Sequence, residues 1–167
     1  MNEHQPADAV ELMEREHRAI LGLFQAYREA MVRGEAAIGR QVLADEICMA
    51  LTIHMRLENE MLYPVLREQR PQRQEAGEGE AEHDHARALV ARILTTAPDH
   101  ASYDAQVAML GRWVERHMQE EGEHLFPAIR VSGINLRGLA DRLQERRREL
   151  QTVVEALRED ALLPAVA

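Results

Sequence analysis

Two stretches of the chain carry the same pairing of an imidazole and a carboxylate four residues apart, His54 with Glu58 and His117 with Glu121. On a helix a step of four advances only about 40° around the axis, so both members of a pair leave from one face. The pairs sit inside longer copies: His54-Met55-Arg56-Leu57-Glu58 through Leu62-Tyr63-Pro64 aligns without a gap on His117-Met118-Gln119-Glu120-Glu121 through Leu125-Phe126-Pro127. Upstream of each, Glu16-His17-Arg18 and Glu82-His83-Asp84 echo one another more weakly. Taken singly, an inward His is more often a hydrogen-bonded core residue than a ligand, and an exposed His/Glu pair is worth a few tenths of a kcal/mol. Taken together, four imidazoles and two carboxylates in one apolar interior cost several kcal/mol per unpaired charge, and no inward stripe of Lys or Arg answers them. A cation is the simplest remedy. Oxygen and imidazole donors without thiolate suit iron or manganese, with zinc less suited and copper least.

Helices must position these groups. The second helical segment has an apolar face of Ile47, Leu51, His54, Glu58, Leu62 and Val65; the fourth has Leu110, Val114, His117, Glu121, Leu125 and Ala128. The first carries Val10, Met13, His17, Ile20 or Leu21, and Phe24. On the third, His83 shares its side with Ala86, Val90, Leu94 and Ala97, while His85 lies about 200° away. Boundaries follow from caps and breakers: Asp8 to Arg33 with Gly34 as terminator, Glu35 to Glu68 before Pro71, and a polar link from Gln72 to Gly79 into a third helix ending near Ala97-Pro98. Asp99 is expected to cap the fourth, which ends near Ser132-Gly133, and Asn135 a fifth reaching Asp160. Pro64 and Pro127 predict a kink or break in the second and fourth.

Four such helices bury their stripes by packing together, so the expected fold is all-α, an antiparallel up-down four-helix bundle over residues 1–133. A C-terminal amphipathic helix occupies 134–160 and a tail 161–167. That extra helix has Leu136, Leu143, Leu150 and Leu157 at intervals of seven, with Leu139 and Val153 between them and Arg146 interrupting. It either docks on its own bundle, leaving a monomer, or forms the seam of a homodimer.

The 167 residues hold 20 Lys+Arg against 29 Asp+Glu, a charge of −9 that disfavours nucleic acid despite the Arg146-Arg147-Arg148 run, which is read as a solvated face. Aromatic residues make up only 4%, against an all-β fold. No apolar stretch spans a bilayer and the start lacks a secretory h-region, so no membrane partner and a cytoplasmic location are expected. The single Cys48 makes no internal disulfide and is assigned no chemistry.

His17, His54-xxx-Glu58, His83 and His117-xxx-Glu121, with Leu-Tyr-Pro and Leu-Phe-Pro after the two pairs, resemble the cation-binding domain of the hemerythrin family over about residues 10 to 130. The resemblance implies two non-heme Fe ions inside the bundle, bridged by Glu58, Glu121 and a solvent-derived oxygen, with His17, His54, His83 and His117 as terminal ligands; Mn or Zn fit less well. Oxygen-carrying members have a fifth His from a His-xxx-His pair on the third helix, whereas here Gly79 lies four before His83 and Arg87 four after. Two six-coordinate ions offer about twelve sites, of which four His, two bridging Glu and one bridging oxygen fill about ten. The set of four His and two Glu resembles members associated with nitric oxide response, iron-centre repair, or peroxide and iron sensing. The N-terminal cysteine-containing domain usual in the repair members is not expected here.

The expected function is binding of, or reaction with, O2, peroxide or NO at an open iron position. An iron or redox sensor, or an iron buffer, would use the same residues. A ferritin-like carboxylate oxidase is the structural rival, since Glu-xx-His occurs at Glu14/His17, Glu80/His83, Glu82/His85 and Glu121/His124, but it leaves His54 and His117 without roles. Glu14 and Glu80, three before His17 and His83, are expected at the surface, and His85 and His124 outside the ligand set. Met13, Leu21, Phe24, Leu51 and Val114 are expected to wall the centre.

Overall fold

The structure, a computed structural model, describes the backbone of residues 8–68 and 73–162 and the side chains of 8–68 and 77–156. Leu157 of the leucine repeat, the Pro71 stop and the tail from residue 163 lie outside those limits. All regular structure among the described residues is helical: α1 (Ala9–Val32), α2 (Ala37–Leu57), α3 (Tyr63–Glu68), α4 (Arg73–Thr95), α5 (Tyr103–Glu120), α6 (Phe126–Arg130) and α7 (Leu136–Leu162). Single π-helical turns, Glu58–Leu62 and Glu121–Leu125, join α2 to α3 and α5 to α6.

Local chemistry sets the ends. The Asp8 carboxylate accepts the Glu11 N–H at 2.9 Å and opens α1. Gly34, at φ 69°, and Gly133, at φ 79°, supply the left-handed residues that end α1 and follow α6. Asn135 caps α7 through the Gly138 N–H at 3.0 Å. Asp99 does not cap α5. A turn closed by Tyr103 N–H on the His100 carbonyl intervenes, so α5 begins three residues later than that cap would place it.

The helices pack α1 on α2 and α4 on α5, with α2 against α4 and α1 against α5, and α7 lies along α1 and α2. Two apolar clusters divide the interior. One holds Ile20, Phe24, Leu51, Leu110, Trp113 and Val114 among others; the second holds Met13, Leu62, Tyr63, Phe126 and the inward ridge of α7, Leu139, Leu143 and Leu150. That ridge is buried against the bundle, while Val153 is exposed. The third stripe is centred on Ala86, Val90 and Ile93, which leaves Leu94 and Ala97 at the surface.

The two prolines act upstream of themselves. Pro64 offers no N–H to the Glu60 carbonyl and its ring crowds that oxygen, and Pro127 does the same at Glu123. The backbone answers with a wider turn: the Tyr63 N–H bonds the Glu58 carbonyl, and the Phe126 N–H bonds the Glu121 carbonyl, five residues back. Each wide turn shifts the later register by one. Leu66 and Ile129 are therefore buried where an uninterrupted helix would bury Val65 and Ala128, and Tyr63 and Phe126 turn inward.

Candidate metal centre

Between the two clusters lies a polar layer. His17 comes from α1, His54 from α2, Glu58 from the first π turn, His83 from α4, His117 from α5 and Glu121 from the second π turn, and all six are buried. His17, His54, Glu58 and Glu121 bring one donor atom each within 4.8 Å of one another, as do Glu58, His83 and His117. The arrangement is two pockets sharing Glu58.

The donor atoms interleave. Glu58 faces His54 Nε2 at 3.3 Å and His83 Nε2 at 3.1 Å, while Glu121 faces His17 Nε2 at 3.3 Å and His117 Nε2 at 3.6 Å. Each carboxylate thus touches one His from each helical hairpin. Yet both Glu58 oxygens, Glu121 Oε2, His17 Nε2 and His54 Nε2 are buried without a hydrogen bond among the described residues. Five orphaned atoms converging on one layer is rare in a folded interior.

A second ring of contacts turns the imidazoles. His54 Nδ1 lies 2.9 Å from Glu16 Oε2, His117 Nδ1 lies 2.6 Å from Glu82 Oε2, and His83 Nδ1 lies 2.9 Å from Asn59 Oδ1. An acceptor on Nδ1 fixes the tautomer that presents the Nε2 lone pair inward. Trp113 stacks on His117, ring centroids 4.8 Å apart, and Phe126 lies 5.3 Å from His17. Of the residues expected to wall the centre, Phe24, Leu51 and Val114 are buried in one apolar cluster and Met13 in the other, and Leu21 is half-buried.

In the metal-free state burial works against charge on His54, but Glu58 and Glu16 outweigh it and hold its pKa well above the ordinary imidazole value. Burial likewise works against ionised Glu58, and His54 with His83 outweigh it and hold that carboxyl well below the usual range. The protein alone thus compensates its buried carboxylates by keeping a proton on His54.

Tyr63, Glu16, Glu82 and Asn59 were not assigned site roles from the sequence. The Tyr63 hydroxyl donates to Glu121 Oε1 at 3.0 Å and lies 3.4 Å from His83 Nε2. It stands where a side chain at position 79 would project, since a Cβ on Gly79 would run into that hydroxyl. Arg87 points outward and pairs with Asp84, so it marks no vacancy at the centre. Burial first, then Glu58 and Glu121, push the Tyr63 phenol far above its ordinary pKa, so it is a neutral donor. The signals existed: an aromatic precedes both prolines, and a Glu precedes both first-helix histidines. Glu14 pairs with Arg130 at 3.8 Å and Glu80 with Arg67, both away from the layer, and His85 and His124 are exposed.

Known proteins resemble this chain in sequence and fold. Residues 8–129 match the model of the hemerythrin HHE cation-binding domain. An uncharacterised protein of Mycobacterium tuberculosis, Rv2633c, is 27% identical over 151 residues, 86% of this chain and 88% of its own, and its Mycobacterium bovis counterpart matches equally. A crystal structure of a hemerythrin HHE cation-binding domain-containing protein from Mycobacterium kansasii, a homologue of Rv2633c, superposes with a TM-score of 0.74 at 26% identity, covering 90% of this chain and 92% of that one. With four helices converging their imidazoles and carboxylates on one buried layer, and with the family model matching most of its length, the chain belongs to the hemerythrin HHE cation-binding domain family.

Proposed function

We propose that the chain is a non-heme di-iron protein that binds or reacts with a small oxidant or diatomic molecule, O2, peroxide or NO. The observation that carries the reading is the set of orphaned inward atoms: Nε2 and carboxylate oxygens face one another, and the described Nδ1 contacts all go to outer acceptors. His17 and His54 would hold one ion and His83 and His117 the other, with Glu58 and Glu121 shared. Two bound irons supply redox equivalents and Lewis acidity at a dry, buried point.

The chain's own residues do the rest. The apolar clusters on either side of the layer exclude bulk water. A cavity of about 250 Å³, lined by Gly79, Glu82, His117, Glu121 and His124 among others, opens the layer to solvent on the α4/α5 side and gives a small molecule its route. Tyr63 Oη holds a proton 3.0 Å from Glu121 and can pass or share it with a guest at the layer. The ferritin-like reading gains no support, because Glu14, Glu80, His85 and His124 all lie outside the layer. No helix is long and apolar enough to cross a membrane among the described residues.

Metal content of the purified protein and its optical spectrum after anaerobic reduction, then exposure to O2 and separately to NO, test the reading. Near two irons per chain and prompt spectral change with either gas are expected. One zinc per chain, or iron unaffected by the double substitution Glu58→Gln and Glu121→Gln, overturns the di-iron assignment. An O2 adduct that persists and releases O2 under vacuum makes the chain a carrier.

A further inference from the structure

The Arg146-Arg147-Arg148 run on α7 is not a uniformly solvated face. Arg146 bonds Glu60, inside the first π turn, at 2.8 Å, and Arg147 Nη1 lies 3.3 Å from Glu16 Oε1. Glu16 is 6% exposed, and its other oxygen takes His54 Nδ1. A cation from the C-terminal helix thus reaches one metal-facing imidazole through a single buried carboxylate. The repeat-mate has no such support. Glu82 holds His117 Nδ1, its side chain is 34% exposed, and no cation pairs with it among the described residues.

Resting on the di-iron reading, we infer that Arg147 is a positioning residue that makes the two halves of the centre electronically unequal. A guanidinium against Glu16 draws charge from the carboxylate, weakens its grip on the His54 Nδ1–H and leaves His54 the poorer donor to its ion. The contact lengths differ in the matching sense, 2.9 Å for Glu16 to His54 against 2.6 Å for Glu82 to His117. The ion on His17 and His54 is therefore the more oxidising of the pair, and α7 sets that difference.

The test uses the full chain as wild type, Arg147→Met, Arg147→Gln and Arg147→Lys, with thermal melts as the check on folding. In zinc-loaded protein, zinc serving as a diamagnetic probe, the ring Nδ1–H resonance of His54 should move downfield in the Met and Gln variants. That of His117 should stay in place, and Lys should hold both near wild type. In iron-loaded protein the higher of the two midpoint potentials should fall in Met and Gln, drawing the two couples together, and recover in Lys. A wild type that takes up no iron overturns this inference together with the function proposed above. A wild type that loads, with both readouts unmoved in the folded Met and Gln variants, or with His54 and His117 moving alike, overturns the role of Arg147 alone.

Discussion

The first half of the centre, built on His17 and His54, and the second, built on His83 and His117, are related by an internal repeat but are not alike. Where the first has Met13, Phe126 and Gly122, the second has Gly79, Tyr63 and Asn59 in the corresponding places. Met13 and Phe126 are buried in the same apolar cluster; Gly79 has no side chain and the Tyr63 hydroxyl takes the space. The first half is backed by Arg147, and the cavity of about 310 Å³ on its side is lined by Glu16 and Arg147 but by neither His17 nor His54. The second is walled on one side by an open cavity and carries the one phenol facing the layer. Duplicated scaffolds can keep an inward set of residues and change what surrounds it: one half is tied to α7 through Glu16, while in the other a cavity reaches His117 and Glu121 themselves.

Breaking the outer carboxylates should have the largest effect. Glu16→Gln and Glu82→Gln should each lower iron affinity by roughly 10- to 100-fold, the usual cost of losing a partner that orients a ligating imidazole. Glu82 should cost more, because its contact with His117 is the shorter and no guanidinium draws charge from it among the described residues. Chelator competition measures both.

Swapping the aromatic pair should sharpen the contrast. Phe126→Tyr forces a hydroxyl into the packed apolar cluster that holds Met13 and should cost about 1–3 kcal/mol in thermal or urea unfolding. Gly79→Ala should cost about the same by driving a methyl into Tyr63, and Tyr63→Phe should relieve part of it. Tyr63→Phe alone should change the rate at which the reduced protein reacts with peroxide more than it changes the affinity for iron. Stopped-flow absorbance and metal titration separate the two.

Loading should depend on pH with a fixed sign. His54 keeps its proton above the ordinary imidazole range in the metal-free state, so the ion must displace it, and acidification should weaken apparent affinity by about tenfold per pH unit per displaced proton. Calorimetry in buffers of different ionisation enthalpy counts that proton.

The smallest effect concerns Cys48, away from both halves, whose thiol burial pushes up to about 12. A folded-state pKa above the unfolded value gives stability that is complete below about pH 8.5 and is lost as pH climbs toward 12. Cys48→Ala should flatten that alkaline slope, at most about 1.4 kcal/mol per pH unit, and alkylation of the folded thiol at pH 8 should be slow.

How much could be read beforehand follows from the kind of information each feature uses. The residues that converge on the layer were legible because helical phase is a property of one chain segment: His17, His54, Glu58, His83, His117 and Glu121 all sit where their stripes point. Phase fails where the helix itself changes. The prolines announced a disturbance, but its form, a π turn on each shared carboxylate, depends on which hydrogen bond the backbone gives up, and so Leu66, Ile129, Tyr63 and Phe126 were misplaced or passed over. Glu16 and Glu82 lie at the edges of their stripes, where only the approach of another helix separates a solvated carboxylate from a buried acceptor. Arg147 needed the docking of α7, information that no local pattern contains.

Trp113, the single indole in the sequence, lies nearly parallel to the His117 ring at 14°, on the second half of the centre only. Its emission is therefore a built-in gauge of one position out of two. A paramagnetic ion held by His117 should quench it steeply, while an ion held by His17 and His54, with no indole against it, should quench it less. Fluorescence followed during stepwise addition of ferrous iron would then report the order of filling directly. A titration that dims gently through the first equivalent and steeply through the second means that the half built on His17 and His54 fills before the half built on His83 and His117.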